Sequence, residues 1–316
     1  MSERGPDVLR PVAPPCGTRD CGRRGRWLCP APVVEAFDVV CLGEALWDLE
    51  APRGRTFTES RSLRLRPGGA AVNVALGLRR RGWRAGLAAM VGADALGEAL
   101  AAQVAARGVS TALVQRAPAR TGLIFVERAG SQARVVGYRS ADEALPELPA
   151  AWSARVLFVT GLAPAEAQAA RFGAAAREAR RRGAWVAVDL NARPRLWRGT
   201  EPLPPPAWIG EADLVKASED DLAAMALDEP ALRRAMRPSA VLVVTAGPGA
   251  ARAVGPFGAV HRAPASVVRG SALGAGDAFT VGILDAVLRG AGTDAAFWEG
   301  ALRRGHALAR RRVTRA

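Results

Sequence analysis

Residues Gly274-Ala275-Gly276-Asp277 carry a small-residue turn and one carboxylate into an apolar run, Ala278-Phe279-Thr280-Val281-Gly282-Ile283-Leu284. The first N–H groups of a helix have no intrahelical partner, and the macrodipole adds partial positive charge there. With no bulky side chains in the way, such a turn lets an anion approach the backbone amides of Ala275, Gly276 and Asp277. A carboxylate beside a bound phosphate makes sense as a base that takes a proton from a hydroxyl during phosphoryl transfer. The plainer reading is a capping Asp on an ordinary helix start, and the four residues by themselves leave both open. Other residues suit polar ligands. Asp48 closes the run Gly43–Asp48 at the end of a candidate strand, as an acceptor for hydroxyls or as a solvated loop acid. Gly68 and Gly69 permit close backbone approach, and Asn73 offers a donor and an acceptor, although in isolation Asn73 reads as a helix N-cap. Arg193 can grip a phosphate or carboxylate in bidentate fashion. Ser218 with Glu219, Asp220 and Asp221 fits a capped helix start.

The elements that must position these residues alternate. Apolar strand-like runs fall at 37–42, 87–91, 156–160, 185–189, 213–217 and 241–245. Helical patterns lie between them at about 70–81, 94–106, 164–182 and 219–236, with further helices from Asp277 and Thr293. This order predicts an α/β fold, a mostly parallel sheet with helices on both faces, whose ligands bind beyond the carboxyl ends of the strands. Arg55–Arg66 and Thr121–Tyr138 are strand-like without intervening helices and do not fit the parallel core. Residues 1–36 are rich in Pro, Gly and Arg without apolar period and read as a disordered, non-domain extension. The chain of 316 residues carries a net charge of +14, and Lys216 is its only lysine. Arginine triplets at 79–81, 180–182 and 310–312 suit solvated helix ends, and no aromatic-interleaved basic face points to nucleic acid. No apolar run reaches the length of a membrane span and no signal-peptide core precedes Phe37, so a soluble cytoplasmic protein is expected. Cys16, Cys21 and Cys29 match no zinc spacing, and Cys41 reads as a core thiol.

The run Gly68-Gly69-Ala70-Ala71-Val72-Asn73-Val74-Ala75, continuing through Leu78 and Gly82 to Val91–Gly97, resembles the amino-terminal signature of the PfkB (ribokinase-like) carbohydrate kinases. Gly274–Asp277 resembles their carboxy-terminal signature, and the likeness runs from about Phe37 to the chain end. The resemblance implies a ribokinase-like domain over 37–316, with a small β-sheet lid from segments about 48–67 and 113–140, in some members a homodimer contact. It implies an ATP- and Mg²⁺-dependent sugar kinase with Asp277 as base and Gly274, Ala275 and Gly276 forming the anion hole. Asp48, Gly68, Gly69, Asn73 and Arg139 would hold the sugar, and Arg193 would lie near sugar or phosphate. On the nucleotide side it implies Ser218, Thr245, Gly247, Gly249, Gly274, Gly276 and His306, with Asp221 acting through water on magnesium. Asp189–Trp197 and Arg139-Ser140-Ala141-Asp142 resemble the fructokinase and 2-keto-3-deoxygluconate kinase branches, which implies a ketose or keto-sugar acid as substrate and no nucleic-acid or membrane partner. Ser271-Ala272 stand where the family has Asp-Thr, which argues against a monovalent-cation site. The Thr245–Ala250 loop is one residue short, and His306 and the end at Ala316 also depart from the pattern. A catalytically impaired sugar- or nucleotide-binding relative is therefore the alternative, and an arginine-rich nucleic-acid binder the more distant one.

Overall fold

The computed structural model describes residues 35–128, 133–149, 152–160, 166–193, 207–266, 273–290 and 292–315. Strand β1 (Glu35–Leu42) is followed by β2 (Leu46–Glu50), β3 (Arg64–Gly68), helix α1 (Ala70–Arg79), β4 (Ala85–Gly92), α2 (Ala95–Ala105) and β5 (Ser110–Ala117). Next come β6 (Leu123–Glu127), β7 (Arg134–Tyr138), β8 (Trp152–Thr160), α3 (Glu166–Arg181), β9 (Trp185–Asp189) and β10 (Leu214–Ser218). The chain ends with α4 (Glu219–Ala224), α5 (Glu229–Ala235), β11 (Val241–Thr245), β12 (Ala251–Gly255), β13 (Gly258–Arg262), α6 (Ala275–Arg289) and α7 (Ala295–Arg315).

Nine strands form one sheet in the order β13-β12-β11-β10-β9-β8-β1-β4-β5, parallel except for the β11-β12-β13 meander. Its central strands are apolar on both faces, as a sheet covered by helices on each side requires. Val39, Val40, Cys41 and Leu42 are all fully buried, and burial pushes the Cys41 thiol far up. The chain leaves β1 toward β4 and β5, then returns to β8 on the other side of β1. The switch point thus lies between β1 and β8, where α/β sheets place ligands. Register aligns Leu42 with Val159, Thr160 with Asp189, Asp189 with Lys216, and Ser218 with Thr245. All of these carboxyl ends therefore open on one edge.

Helix α6 is buried from Phe279 to Leu288 and is packed between α1 and α7. Small residues let the helices close on one another. A Cβ on Gly282 would lie 2.6 Å from the Gly305 backbone, and one on Gly77 would lie 2.4 Å from a Val281 methyl. A separate four-stranded sheet, β3-β2-β6-β7, stands apart from the main sheet. Phe57, Phe125 and Tyr138 form an edge-to-face aromatic series along it, while Leu65, Val135, Val136 and Tyr138 are exposed.

Several expectations are corrected. Residues 110–117 are not part of the small sheet; β5 is the edge strand of the large one, so the second lid segment begins at β6. Within 48–67 only the two ends are strand, because Pro52 and Gly54 turn the chain between them. Asp48 lies inside β2 rather than in a loop closing β1. The β12-β13 hairpin was not expected, since Pro256 and the flanking glycines mask its short alternation. Helix α7 starts at Ala295, because the Asp294 carboxylate accepts from Phe297 N at 2.7 Å. Residues 1–34, 194–206 and 267–272 lie outside the described residues, and with them Ser271-Ala272 and the end of the Asp189–Trp197 run.

Candidate active site

Helix α6 begins on Gly274, which adopts left-handed backbone (φ 76°, ψ 7°) and provides no side-chain cap. Among the described residues, then, the first amides of α6 receive no side-chain cap from the N-cap position. Asp277, in the first turn, accepts a hydrogen bond from Asn73 Nδ2 at 2.8 Å. Asn73 is thus not an N-cap. Gly69 takes that position of α1 at φ 96°, where a Cβ would lie 2.4 Å from the Glu44 carbonyl oxygen. The Gly68-Gly69 turn and α6 are brought together through this Asn–Asp contact, across 204 positions of sequence. Burial pushes the Asp277 carboxyl above its ordinary range, against the pull of Asn73, Lys216, Arg193 and Arg312.

Asp48 faces the same space. Its carboxylate lies against Gly68, where a Cβ would approach it to 2.4 Å. Burial, then the charges of Glu50 and Asp277, raise it to about 7, while Arg66 and Arg128 oppose the shift. Arg139 is buried between two carboxylates, Glu44 at 2.6 Å and Asp142 at 2.7 Å, and Asp142 also accepts from Ser140 N. Its charge is thereby compensated within the protein. Arg193 is half exposed, donates to the Ala192 carbonyl and stands 3.7 Å from Asp221. It lies two residues past Asn191, which stands just beyond β9 in left-handed backbone at φ 43°. Asn is one of the few residues with a side chain that enters this region readily, so it can turn the chain here.

Asp221 and Ser218 form a reciprocal capping box at the start of α4. One Asp221 oxygen accepts from Ser218 N and the other from Ala192 N, both at 2.7 Å. The carboxylate is thus held back by backbone donors and ties the β9 turn to α4. Thr245 ends β11 beside Ser218, and Gly247 and Gly249 form the tight turn into β12. His306 packs edge-on against Phe279 and pairs with the Arg262 carbonyl oxygen at 2.9 Å, so α7 uses it as an anchor to β13.

The structure adds three residues that the sequence reading did not assign. Lys216 Nζ donates to Asp189 Oδ1 at 3.0 Å, and Thr280 Oγ1 donates to Asp189 Oδ2 at 2.9 Å. All three are buried. Burial opposes the Lys216 charge, but Asp189 beside it, with Asp221 and Asp277, holds its ammonium above the usual range. The signal that could have found this group was the singularity of Lys216 in an arginine-rich chain.

Known proteins resemble this chain over most of its length. A family model described as pfkB family carbohydrate kinase matches residues 36–316. The chain is 32% identical over 257 residues to a fructokinase of Klebsiella pneumoniae, covering 77% of this chain and 82% of that one. It is 28% identical over 283 residues to 2-dehydro-3-deoxygalactonokinase of Haloferax volcanii, covering 84% and 88%. The crystal structure of a Xylella fastidiosa fructokinase with bound ATP superposes with a TM-score of 0.74 at 25% identity, covering 90% of this chain and 94% of that one.

Proposed function

The chain belongs to the pfkB family of carbohydrate kinases and is a phosphotransferase acting on a sugar hydroxyl, and on that premise we propose that its donor is ATP and its acceptor a primary hydroxyl of a ketose or keto-sugar acid. The observation that carries this reading is Asp277, held by Asn73 on the first turn of α6 beside an uncapped helix terminus. In the proposed reaction Asp277 removes the hydroxyl proton as the sugar oxygen bonds to the γ-phosphorus. The bond from that phosphorus to the bridging oxygen breaks, ADP leaves, and the proton rests on Asp277. The amides of Ala275, Gly276 and Asp277 would receive the charge on the transferring group. The terminus fits a phosphate, because Gly274 has no side chain to block it.

Asp48, Gly68, Gly69 and Asn73 would bind the sugar hydroxyls, and Ser218, Thr245, Gly247, Gly249 and His306 would border the nucleotide. Among the described residues no group of three or more His, Cys, Asp or Glu could hold a metal by itself. Magnesium would enter with the nucleotide and supply charge neutralisation on its phosphates, and Asp221, held back by the amides of Ser218 and Ala192, would act on it only through water. Because Arg139 is committed to Glu44 and Asp142, a neutral ketose suits the pocket better than an acid sugar, and Arg193 and Arg312 are guanidiniums left for phosphate or carboxylate. The exposed apolar face of the small sheet, with Leu65, Val136 and Tyr138, suits a homodimer contact. A panel of fructose, 2-keto-3-deoxygluconate, ribose and nucleosides with ATP and Mg²⁺ tests the reading. Sugar-dependent ADP release, fastest with fructose, is expected; nucleotide binding without turnover on any acceptor would instead support an impaired binding protein.

A further inference from the structure

Lys216 is the only lysine in a chain whose lysines and arginines total 44, and it is buried in the middle of β10. Every other cationic side chain except the two histidines is arginine. The buried slot presents a single oxygen, Asp189 Oδ1, to a compact ammonium, whereas a guanidinium demands room for a planar fork of donors. A Cβ built on Gly276 would lie 3.7 Å from Lys216 Nζ, so the ammonium stands against the first turn of α6. A helix amino terminus already carries partial positive charge, and stability alone would place an acid there. Two positive sources aimed at one place make sense where an anion must be held.

We propose that Lys216 is a positioning residue for phosphoryl transfer: locked by Asp189, itself held by Thr280, its ammonium is the fixed counter-charge beneath α6 that keeps Asp277 ionised and in place. The proposal rests on the reading of Asp277 as the base. The groups facing Asp277 are Asn73 from α1, Asp48 from β2, Asp189 and Arg193 from β9 and its turn, Lys216 from β10 and Arg312 from α7. Lys216 is the first of the cations that favour the ionised carboxylate. Of the three cations it is the one held in a buried ion pair with a carboxylate at hydrogen-bonding distance.

The test is the pH dependence of kcat in Lys216→Met and in Asp189→Asn/Lys216→Met, which removes both buried charges and spares the fold an unpaired carboxylate. In both variants the acid limb should move up by at least about one pH unit, a loss of roughly tenfold below the limb that is regained at higher pH. The double variant should melt close to the wild type while keeping the displaced limb. A loss by the same factor at every pH, or recovery of the wild-type profile in the double variant, overturns the proposal. A second measurement needs no turnover. Lysine labelled with ¹⁵N gives one side-chain signal in this chain, and Asp277→Asn should shift its resonance and lower its pKa. An unmoved signal also overturns the proposal, whereas a wild type that phosphorylates no sugar would defeat the kinase reading and leave this electrostatic coupling measurable.

Discussion

Asp48 shows how residue type and surroundings combine. An acid was legible at this position, but its placement in a strand against Gly68, close to Glu50 and Asp277, was not. Its carboxyl is raised to about 7 from an ordinary 3.8, so the fold favours the protonated form. The stability this brings is fully present below pH 3.8 and is lost as pH rises through about 7. Ionised Asp48 is the better acceptor for two sugar hydroxyls, so sugar affinity should rise over the window in which stability falls. Asp48→Asn should melt higher than the wild type at pH 8 and no higher at pH 4, with sugar KM raised at pH 8 and little changed at pH 4, where Asp48 is already protonated. Thermal melts and KM at the two pH values check this; a variant that melts lower at pH 8 would contradict it. Asn73 teaches the same lesson. Its type was readable, but the partner that gives it meaning lies across the fold on α6.

Elements carry this geometry. The alternation of apolar runs predicted the parallel core because buried strands and amphipathic helices leave strong periods. The β12-β13 hairpin and the bounds of the small sheet were not legible, because short strands broken by Pro and Gly leave weak ones. Helix α6 could be read as apolar from its sequence, but the fully buried Asp285 within it could not be assigned. That carboxylate accepts from Trp83 at 3.0 Å and meets Arg81, Arg289 and Arg304. Burial alone would raise it, but Trp83 and the arginines hold it below its ordinary range. Its contribution to stability is therefore present above pH 3.8 and is lost as pH falls through the lower, folded value. Asp285→Asn should destabilise the protein at pH 7 by about 3 kcal/mol, the low end for breaking a buried pair, because the arginines reach water. Denaturant titration should show this cost shrinking at acid pH. Sugar KM should be unchanged, since Asp285 lies two turns along α6 from Asp277.

At the scale of the molecule, the charge of +14 is the property most open to misreading. Arginines 180–182, which could pass for a nucleic-acid patch, are engaged with Glu211, Asp213 and Glu178. Among the described residues no helix is long and apolar enough to cross a membrane. The excess charge should instead act as a field that draws in nucleotide. Raising NaCl from about 0.05 to 0.3 M should lower kcat/KM for ATP several-fold with little change in kcat, because screening weakens encounter rather than chemistry. An unchanged kcat/KM would remove steering from the account. The whole arrangement, in which β2 of the small sheet, α1, β10 of the large sheet and α6 supply Asp48, Asn73, Lys216 and Asp277, has meaning only if Asp277 moves a proton. The most direct test is the rate of sugar-phosphate formation from fructose and ATP–Mg²⁺ by wild type and Asp277→Asn, alongside sugar binding by calorimetry. A general base contributes roughly 10²–10⁴-fold, so kcat should fall by that range while the sugar Kd changes little. A variant that keeps more than about a tenth of the wild-type kcat would contradict the assignment.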